Sequence, residues 1–229
     1  MAKKAVGDRD HLCENMNFAA REAYKKMRTN TIIALPQDDN CKIIGVTSAQ
    51  PGEGKSTSSI NIAYSFSELG KRILLVDADL HLPSIANKFG LSAEHGFDEL
   101  LTVSNDITSA IQHYYDSDGN ICFDFILGGI LDNSSELLSS PRLSSLLNVL
   151  SKAYDYIFID LPPLEALIDA VVVGKHADGM IVVTKENSTL KNAFDKCIEQ
   201  LDYANIKILG VVVNGSHEGT KKSKYYSYR

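Results

Sequence analysis

The sequence predicts an α/β fold, with a mostly parallel β-sheet covered by helices on both faces. Three observations carry that expectation. Short apolar runs alternate with helix-length amphipathic stretches along most of the chain, the pattern of buried parallel strands joined by crossover helices. One run, in KIIGVTSAQPGEGKST at 42–57, passes through a glycine-bearing turn into a helical pattern. Two others, RILLVD and YIFID, end on Asp77 and Asp160, and open α/β sheets bind ligands at the carboxyl ends of their strands.

Taken in order, residues 1–14 are polar and are expected to be mobile. Residues 15–35 read as a helix with an apolar stripe of Met16, Ala20, Ala23 and Met27. Glu22, Lys25 and Arg28 stand three apart beside that stripe, on neighbouring turns. On composition alone they make a solvated charged face. Ile43, Ile44 and Val46 then form a strand, Pro51, Gly52 and Gly54 a turn, and Ile62, Phe66 and Leu69 recur at helical spacing up to a capping Gly70. The run 72–77 reads as a buried strand. Helical patterns are expected around 82–89, 97–101 and 107–115, followed by a turn at Asp118-Gly119-Asn120. Strands are expected at 122–127 and 156–160, with a helix between them at 142–152 carrying Leu143, Leu146, Leu147 and Leu150. A helix at about 165–176, a strand at 180–184, a helix at 189–203 and a strand at 206–213 complete the alternation. From residue 216 the chain is polar, basic and tyrosine-rich, and a flexible tail is expected. The expected organisation is one domain over 15–215 between a mobile start at 1–14 and a tail at 216–229.

At 229 residues and 44% hydrophobic composition the chain can bury one sizeable core. A net charge of -6 argues against general nucleic-acid binding. Cys13, Cys41, Cys122 and Cys197 lie far apart and form no C-x-x-C, which reads as reduced thiols with no metal cluster. No apolar run approaches the ~18 residues of a membrane span. The start, MAKKAVGDRDHL, lacks the apolar core of a secretory signal. A cytoplasmic protein is expected, held at any membrane by something else.

The turn at 51–54 suits phosphate chemistry. Gly52 and Gly54 let backbone N–H groups turn inward around an anion, and the helix N-terminus behind them adds partial positive charge. The loop of Pro51, Gly52, Glu53, Gly54, Lys55, Ser56 and Thr57 is the candidate nucleotide cradle. Within it Lys55 supplies a full charge for the outer phosphates and Ser56 a hydroxyl for Mg²⁺. Ala49 stands where the pattern G-x-x-x-x-G-K-[ST] has its first Gly. Nucleotide phosphates bring Mg²⁺, which takes hard oxygen ligands, often through water. Asp77, Asp79 and Asp160 supply carboxylates where the strands end. One such acid alone reads equally as a helix cap or turn residue; beside a phosphate loop, metal and nucleotide roles become the expectation.

SAQPGEGKST resembles the Walker A motif of the bacterial tyrosine kinases. ILLVDADLHLP resembles their A′ motif, hydrophobic-D-x-D-x-R, and YIFIDLPP their Walker B, hydrophobic-D-x-P-P. EAYKKMRTN resembles the E-x-x-[RK]-x-x-R segment by which their subunits assemble. SSELLSSPRL resembles their N-P-x-E-L-L segment, and KYYSY their C-terminal tyrosine cluster. These motifs run in the family's order from about Asn15 to Arg229.

The resemblance implies a P-loop NTPase of the deviant Walker A, MinD/ParA-like kind. It implies an ATP- and Mg²⁺-dependent autokinase of capsular or exopolysaccharide synthesis, of the branch made as separate cytoplasmic chains. The phosphoacceptors would be Tyr225, Tyr226 and Tyr228. Lys55, Asp77, Asp79 and Asp160 would be the catalytic residues, with Asp77 the base. Ser56, Asp79 and Asp160 would hold Mg²⁺. Asn214, which ends GVVVN, would read the adenine edge, and reads equally as a turn residue before Gly215. Glu22, Lys25 and Arg28 would join subunits into a ring-like homo-oligomer. The implied partners are the cytoplasmic segment of a transmembrane polysaccharide co-polymerase adaptor, which recruits the chain to the inner face of the membrane, and a cognate tyrosine phosphatase. No nucleic acid is implied.

His81 departs from the family by standing where the A′ motif has Arg. An imidazole lacks the bidentate guanidinium fork, so nucleotide affinity or assembly is expected to differ. Asp132 and Ser134 replace prolines before E-L-L, with an effect expected only on a loop. Two rival readings remain at this stage. A cell-division or partitioning ATPase of the ParA/MinD group would carry a Lys early in the P-loop, where this chain has Gln50, and would lack the tyrosine cluster. A non-catalytic nucleotide-binding scaffold of the polysaccharide machinery is the other, and His81 is the residue that favours it.

Overall fold

The structure, a computed structural model, describes residues 11–92, 95–104 and 106–216. After a 3₁₀ turn at Cys13–Asn15 comes α1 (Phe18–Ala34), then β1 (Lys42–Ser48), α2 (Lys55–Ser67) and β2 (Ile73–Asp77). Three short helices follow: α3 (Ile85–Phe89), α4 (Phe97–Thr102) and α5 (Ile107–Ala110). Next are β3 (Ile111–Tyr115), β4 (Ile121–Ile126), α6 (Ser134–Leu138), α7 (Pro141–Leu150) and β5 (Tyr156–Asp160). The described chain closes with α8 (Asp169–Gly174), β6 (Gly179–Lys185), α9 (Lys191–Tyr203) and β7 (Ile208–Asn214).

The strands form one seven-stranded sheet in the order β3-β4-β2-β5-β1-β6-β7. All neighbours are parallel except β3 and β4. The register decides where the chemistry falls. Asp160 of β5 lies opposite Val46 of β1 on one side and Asp77 of β2 on the other. The loops leaving β1, β2 and β5 therefore emerge side by side at one edge.

Successive strand residues alternate between two covered faces, which is why the runs look continuously apolar. Ile44, Val46, Leu75, Phe158 and Ile181 face a core with Ile60, Ile62 and Phe66 of α2. Leu74, Val76, Ile157, Ile159 and Val182 face the other core, with the leucines of α7 and with Cys197 and Leu201 of α9.

Three expectations are corrected. The helix expected at 107–115 is helical only over Ile107–Ala110, and Ile111–Tyr115 is a strand antiparallel to β4. Tertiary pairing outweighs the local pattern there: Tyr114 stacks on Phe123 with ring centroids 5.0 Å apart. The turn DSDGN closes the hairpin, with the Asp116 carboxylate accepting from the N–H groups of Asp118 and Asn120. The packed chain also begins before residue 15. Leu12 and Cys13 are buried, and Asn61 of α2 accepts from Cys13 N–H and donates to His11 O. Two apolar side chains and two hydrogen bonds are enough to dock that segment despite its polar composition. On α1, Ala23 is exposed and the inward stripe runs through Ala20, Tyr24, Met27 and Thr31, the i, i+4, i+7, i+11 face that meets α2 and β7.

Phe66 is fully buried, with ring centroids 4.8 Å from Tyr156 and 5.0 Å from Phe158. Phe66→Ala is expected to cost about 3–5 kcal/mol, read from urea unfolding; a loss below about 1 kcal/mol would contradict this packing.

Candidate active site

The β1–α2 loop turns on two glycines in the left-handed region, Gly52 at φ 79° and Gly54 at φ 89°. At Gly54 the lack of a side chain is also a packing requirement, since a Cβ would lie 2.0 Å from Asn214 Nδ2. Asn214 Nδ2 donates to Glu53 O at 3.1 Å, so the end of β7 braces the loop backbone. The Glu53 side chain is buried and accepts from Gln50 N–H at 3.0 Å and from the Thr189 hydroxyl. Gln50 in turn donates from Nε2 to Glu165 at 3.0 Å and accepts on Oε1 from Leu190 N–H at 3.1 Å. Pro51 and Gly52 are exposed, Thr57 is half-buried, and Ser56 is buried at the start of α2. The loop thus presents its turn outward while its base is tied to three distant segments.

The charged residues converge beneath it. Lys55 Nζ lies 3.1 Å from Asp160 Oδ2, 3.2 Å from Asp79 Oδ2 and 3.3 Å from Ser56 Oγ. Asp160 also accepts from Ser59 Oγ at 2.8 Å. Asp77 and Asp160 have no solvent exposure, and Asp79 is 5% exposed. Burial pushes the Lys55 ammonium down, but Asp160, Asp79 and Asp77 outweigh it, so its net shift is upward. Burial first, and then the neighbouring Asp160 carboxylate, push the Asp77 carboxyl up to about 7, against the pull of Ile85 N–H and Lys55. Asp77 Oδ2 accepts from Ser84 and Ile85 N–H, both at 3.0 Å, while Oδ1 has only a 3.3 Å contact from Asp79 N–H. Oδ1 is therefore the oxygen with acceptor capacity to spare.

The donor set fits magnesium of the nucleotide-dependent kind. Ser56, Asp79 and Asp160 are hard oxygen donors gathered around one ammonium. Among the described residues no group of three or more His, Cys, Asp and Glu is arranged to hold a metal ion alone. Magnesium here would complete its shell with phosphate and water, its ordinary habit.

The loop after β2 carries a second polar cluster that the sequence reading missed. His81 Nε2 lies 2.8 Å from Ser134 Oγ, which donates to Asp169 Oδ2 at 2.5 Å. Ser134 and Asp169 are both buried. Ser134 is thus a buried junction between two loops, and the expectation that its replacement of proline touches only a loop is corrected. Nothing local marked Asp169, an ordinary acid at a helix start, and nothing marked Thr189, distant in sequence from the loop it supports. Gln50 drew notice only for the lysine it replaces.

The remaining candidates lie elsewhere. On α1, Glu22 and Lys25 pair with each other at 2.9 Å. Arg28 turns to the end of α2, donating to Ser65 O and to Glu68 at 3.1 Å. Tyr225, Tyr226 and Tyr228 fall outside the described residues.

A family model described as ParA, NUBPL iron-transfer P-loop NTPase, matches residues 40–228. The chain is 35% identical over 207 residues to the tyrosine-protein kinase YwqD of Bacillus subtilis (strain 168), covering 90% of this chain and 84% of that one. Its fold is similar to the kinase domain of the Escherichia coli tyrosine kinase ETK, with a TM-score of 0.83 at 30% identity, covering 94% and 82% of the two chains. The septum site-determining protein MinD of Pyrococcus horikoshii, complexed with Mg-ADP, shares the fold with a TM-score of 0.62 at 23% identity, over 78% of this chain and 73% of that one.

Gly54→Ala is expected to destabilise the chain by about 1 kcal/mol or more, through a disfavoured φ and collision with Asn214. Chemical denaturation checks this, and wild-type stability in the variant would contradict the bracing of the loop by β7.

Proposed function

From the premise that this chain belongs to the bacterial tyrosine-protein kinases, within the ParA-type P-loop NTPases, we propose that it transfers the γ-phosphoryl group of ATP to tyrosines of its own C-terminal segment. The observation that carries the reading is the convergence of Lys55, Asp79 and Asp160 beneath a glycine-turned loop, with Asp77 beside Asp160 in the strand register.

Phosphoryl transfer is mostly positioning and charge stabilisation. The amides from Gly52 to Thr57 cradle the phosphates, and Lys55 neutralises charge on the β and γ oxygens. Ser56, Asp79 and Asp160 would hold Mg²⁺, which would supply screening of the charge that develops on those oxygens. Asn214, against the loop backbone through Glu53 O, would read the nucleotide's adenine edge. Asp77 takes the proton of the tyrosine Oη as the new O–P bond forms and the bond from γ-phosphorus to its bridging oxygen breaks, releasing ADP. A phenol with pKa near ~10 keeps its proton until attack, so a positioned carboxylate is useful. Asp77 is covered, so the tyrosine reaches it when the loop after β2 shifts.

Tyr225, Tyr226 and Tyr228 are the acceptors. From Asn214 to Tyr228 is 14 residues, which span about 46–50 Å when extended. That reach serves a neighbouring subunit of a ring-like homo-oligomer, with the Glu22–Lys25 face of α1 as its contact. Each phosphate adds about -1.5 to -2 charge, so a fully modified segment is repelled by the carboxylate-lined site and the oligomer loosens. The cytoplasmic segment of a transmembrane adaptor activates the chain at the inner face of the membrane and a phosphatase resets it, in capsular or exopolysaccharide production. Among the described residues no helix is long and apolar enough to cross a membrane.

The test mixes two proteins. One is Lys55→Met with an intact tail; the other is active but carries Tyr225→Phe, Tyr226→Phe and Tyr228→Phe. Alone, the Lys55→Met protein should transfer on the order of 10²-fold or more slower than wild type. In the mixture its tail should gain phosphate. No label, under conditions where mixed oligomers form and wild type labels fully, would refute transfer between subunits. Hydrolysis of ATP by wild type without phosphotyrosine would return the chain to the MinD-like ATPase reading.

A further inference from the structure

Asp169 begins α8, has no solvent exposure and takes no part in the reaction described above. Its carboxylate accepts from the hydroxyls of Ser134, at 2.5 Å, and Ser135. His81 Nε2 lies 2.8 Å from Ser134 Oγ and 3.6 Å from Asp169 Oδ2. The direction of this chain of bonds follows from the inventory of donors. A carboxylate only accepts, so the Ser134 proton points to Asp169. Ser134 Oγ must then accept, and His81 Nε2 carries the hydrogen it accepts.

The loop that carries His81 is the one that aims Asp79. Asp79 Oδ1 accepts from Leu82 N–H at 3.1 Å, closing a turn around His81, while Oδ2 faces Lys55 at 3.2 Å. Leu80 O accepts from Leu131 N–H at 3.0 Å, a second tie between the same two loops. Three segments of the sheet edge, those after β2, β4 and β5, therefore meet at one buried carboxylate.

We propose that Asp169 is a positioning residue for phosphoryl transfer, holding Asp79 toward Lys55 through Ser134 and His81. The proposal rests on the kinase reading. It also joins two departures from the family's motifs into one unit. Where the A′ motif has Arg this chain has the shorter His81, and where a proline is expected it has Ser134, whose hydroxyl spans the gap from imidazole to carboxylate. A guanidinium at 81 is long enough to reach Asp169 without that hydroxyl.

The experiment compares full-length wild type, Asp169→Asn, His81→Ala and the double variant. It reads phosphotyrosine formation against ATP and Mg²⁺, alongside ADP affinity without Mg²⁺. Asp169→Asn should lower kcat about tenfold and raise the Mg²⁺ half-saturation, with ADP affinity unchanged. In the His81→Ala background the same substitution should add little, because the relay is already cut. Equal fold-losses in both backgrounds, or a fall in thermal stability with kcat intact, would mean that Asp169 only packs α6 on α8 and would overturn the proposal. Should Asp169→Asn fail to fold, Ser134→Ala serves as the second variant, since it cuts the relay and leaves the Ser135 contact. Adding His81→Arg to Ser134→Ala should restore kcat, and no recovery would count against the relay. If wild type hydrolyses ATP without forming phosphotyrosine, the kinase reading fails separately, and the same coupling is read on hydrolysis.

Discussion

One ammonium group organises the sheet edge. Lys55 sits between Asp160 and Asp79, with Asp77 next to Asp160. Three carboxylates so close and so buried repel one another, and only Lys55 lies among them as a balancing cation within the cluster described. Removing one partner of a buried pair typically costs about 3–5 kcal/mol, because the other charge is left uncompensated. The remaining features of the edge place this group or are placed by it. The parallel register sets Asp77 beside Asp160. The positive φ of Gly54 lets the chain turn so that the next residue starts α2 with its side chain inward. Ser59, one turn on, holds the second oxygen of Asp160.

The same arrangement explains a tension in the function. A cluster stable enough to persist has its lysine already engaged by carboxylates. In the proposed reaction, phosphate oxygens entering the loop would compete for that lysine, and a divalent cation would compensate the acids it leaves. Binding and metal are thus linked by charge balance. The loop is braced from behind by Asn214, Glu53, Thr189 and Gln50, so this exchange of partners would occur on a fixed frame. Gln50 is informative here. At the position where the ParA/MinD group has a lysine, this chain has a neutral side chain that bonds Glu165 and Leu190 within its own chain.

Much of this was legible in the sequence, and the parts that were not share a cause. The strands at 72–77 and 156–160 and the phosphate loop announce themselves through continuous apolar runs, terminal acids and glycines, all local signals. Lys55, Ser56, Asp77, Asp79 and Asp160 could be grouped because Asp77 and Asp160 end strands, Asp79 lies two residues beyond one, and Lys55 and Ser56 open α2, all at one sheet edge. The strand Ile111–Tyr115 was missed because its identity comes from pairing with β4, not from its own pattern. Asp169 and Thr189 were missed, and Ser134 was read only as a loop substitution, because their partners lie far off along the chain. Arg28 was legible as a charged residue of the assembly segment, but its engagement with Ser65 and Glu68 depends on how α1 crosses α2.

The claim on which the account stands is that this site hands phosphate to tyrosine and not to water. Mass-spectrometric mapping of purified wild-type chain after incubation with Mg-ATP, with and without an adaptor's cytoplasmic segment, tests it most directly. Phosphate is expected on Tyr225, Tyr226 and Tyr228, and absent when Mg²⁺ is chelated. Free phosphate with no phosphotyrosine under either condition would contradict it.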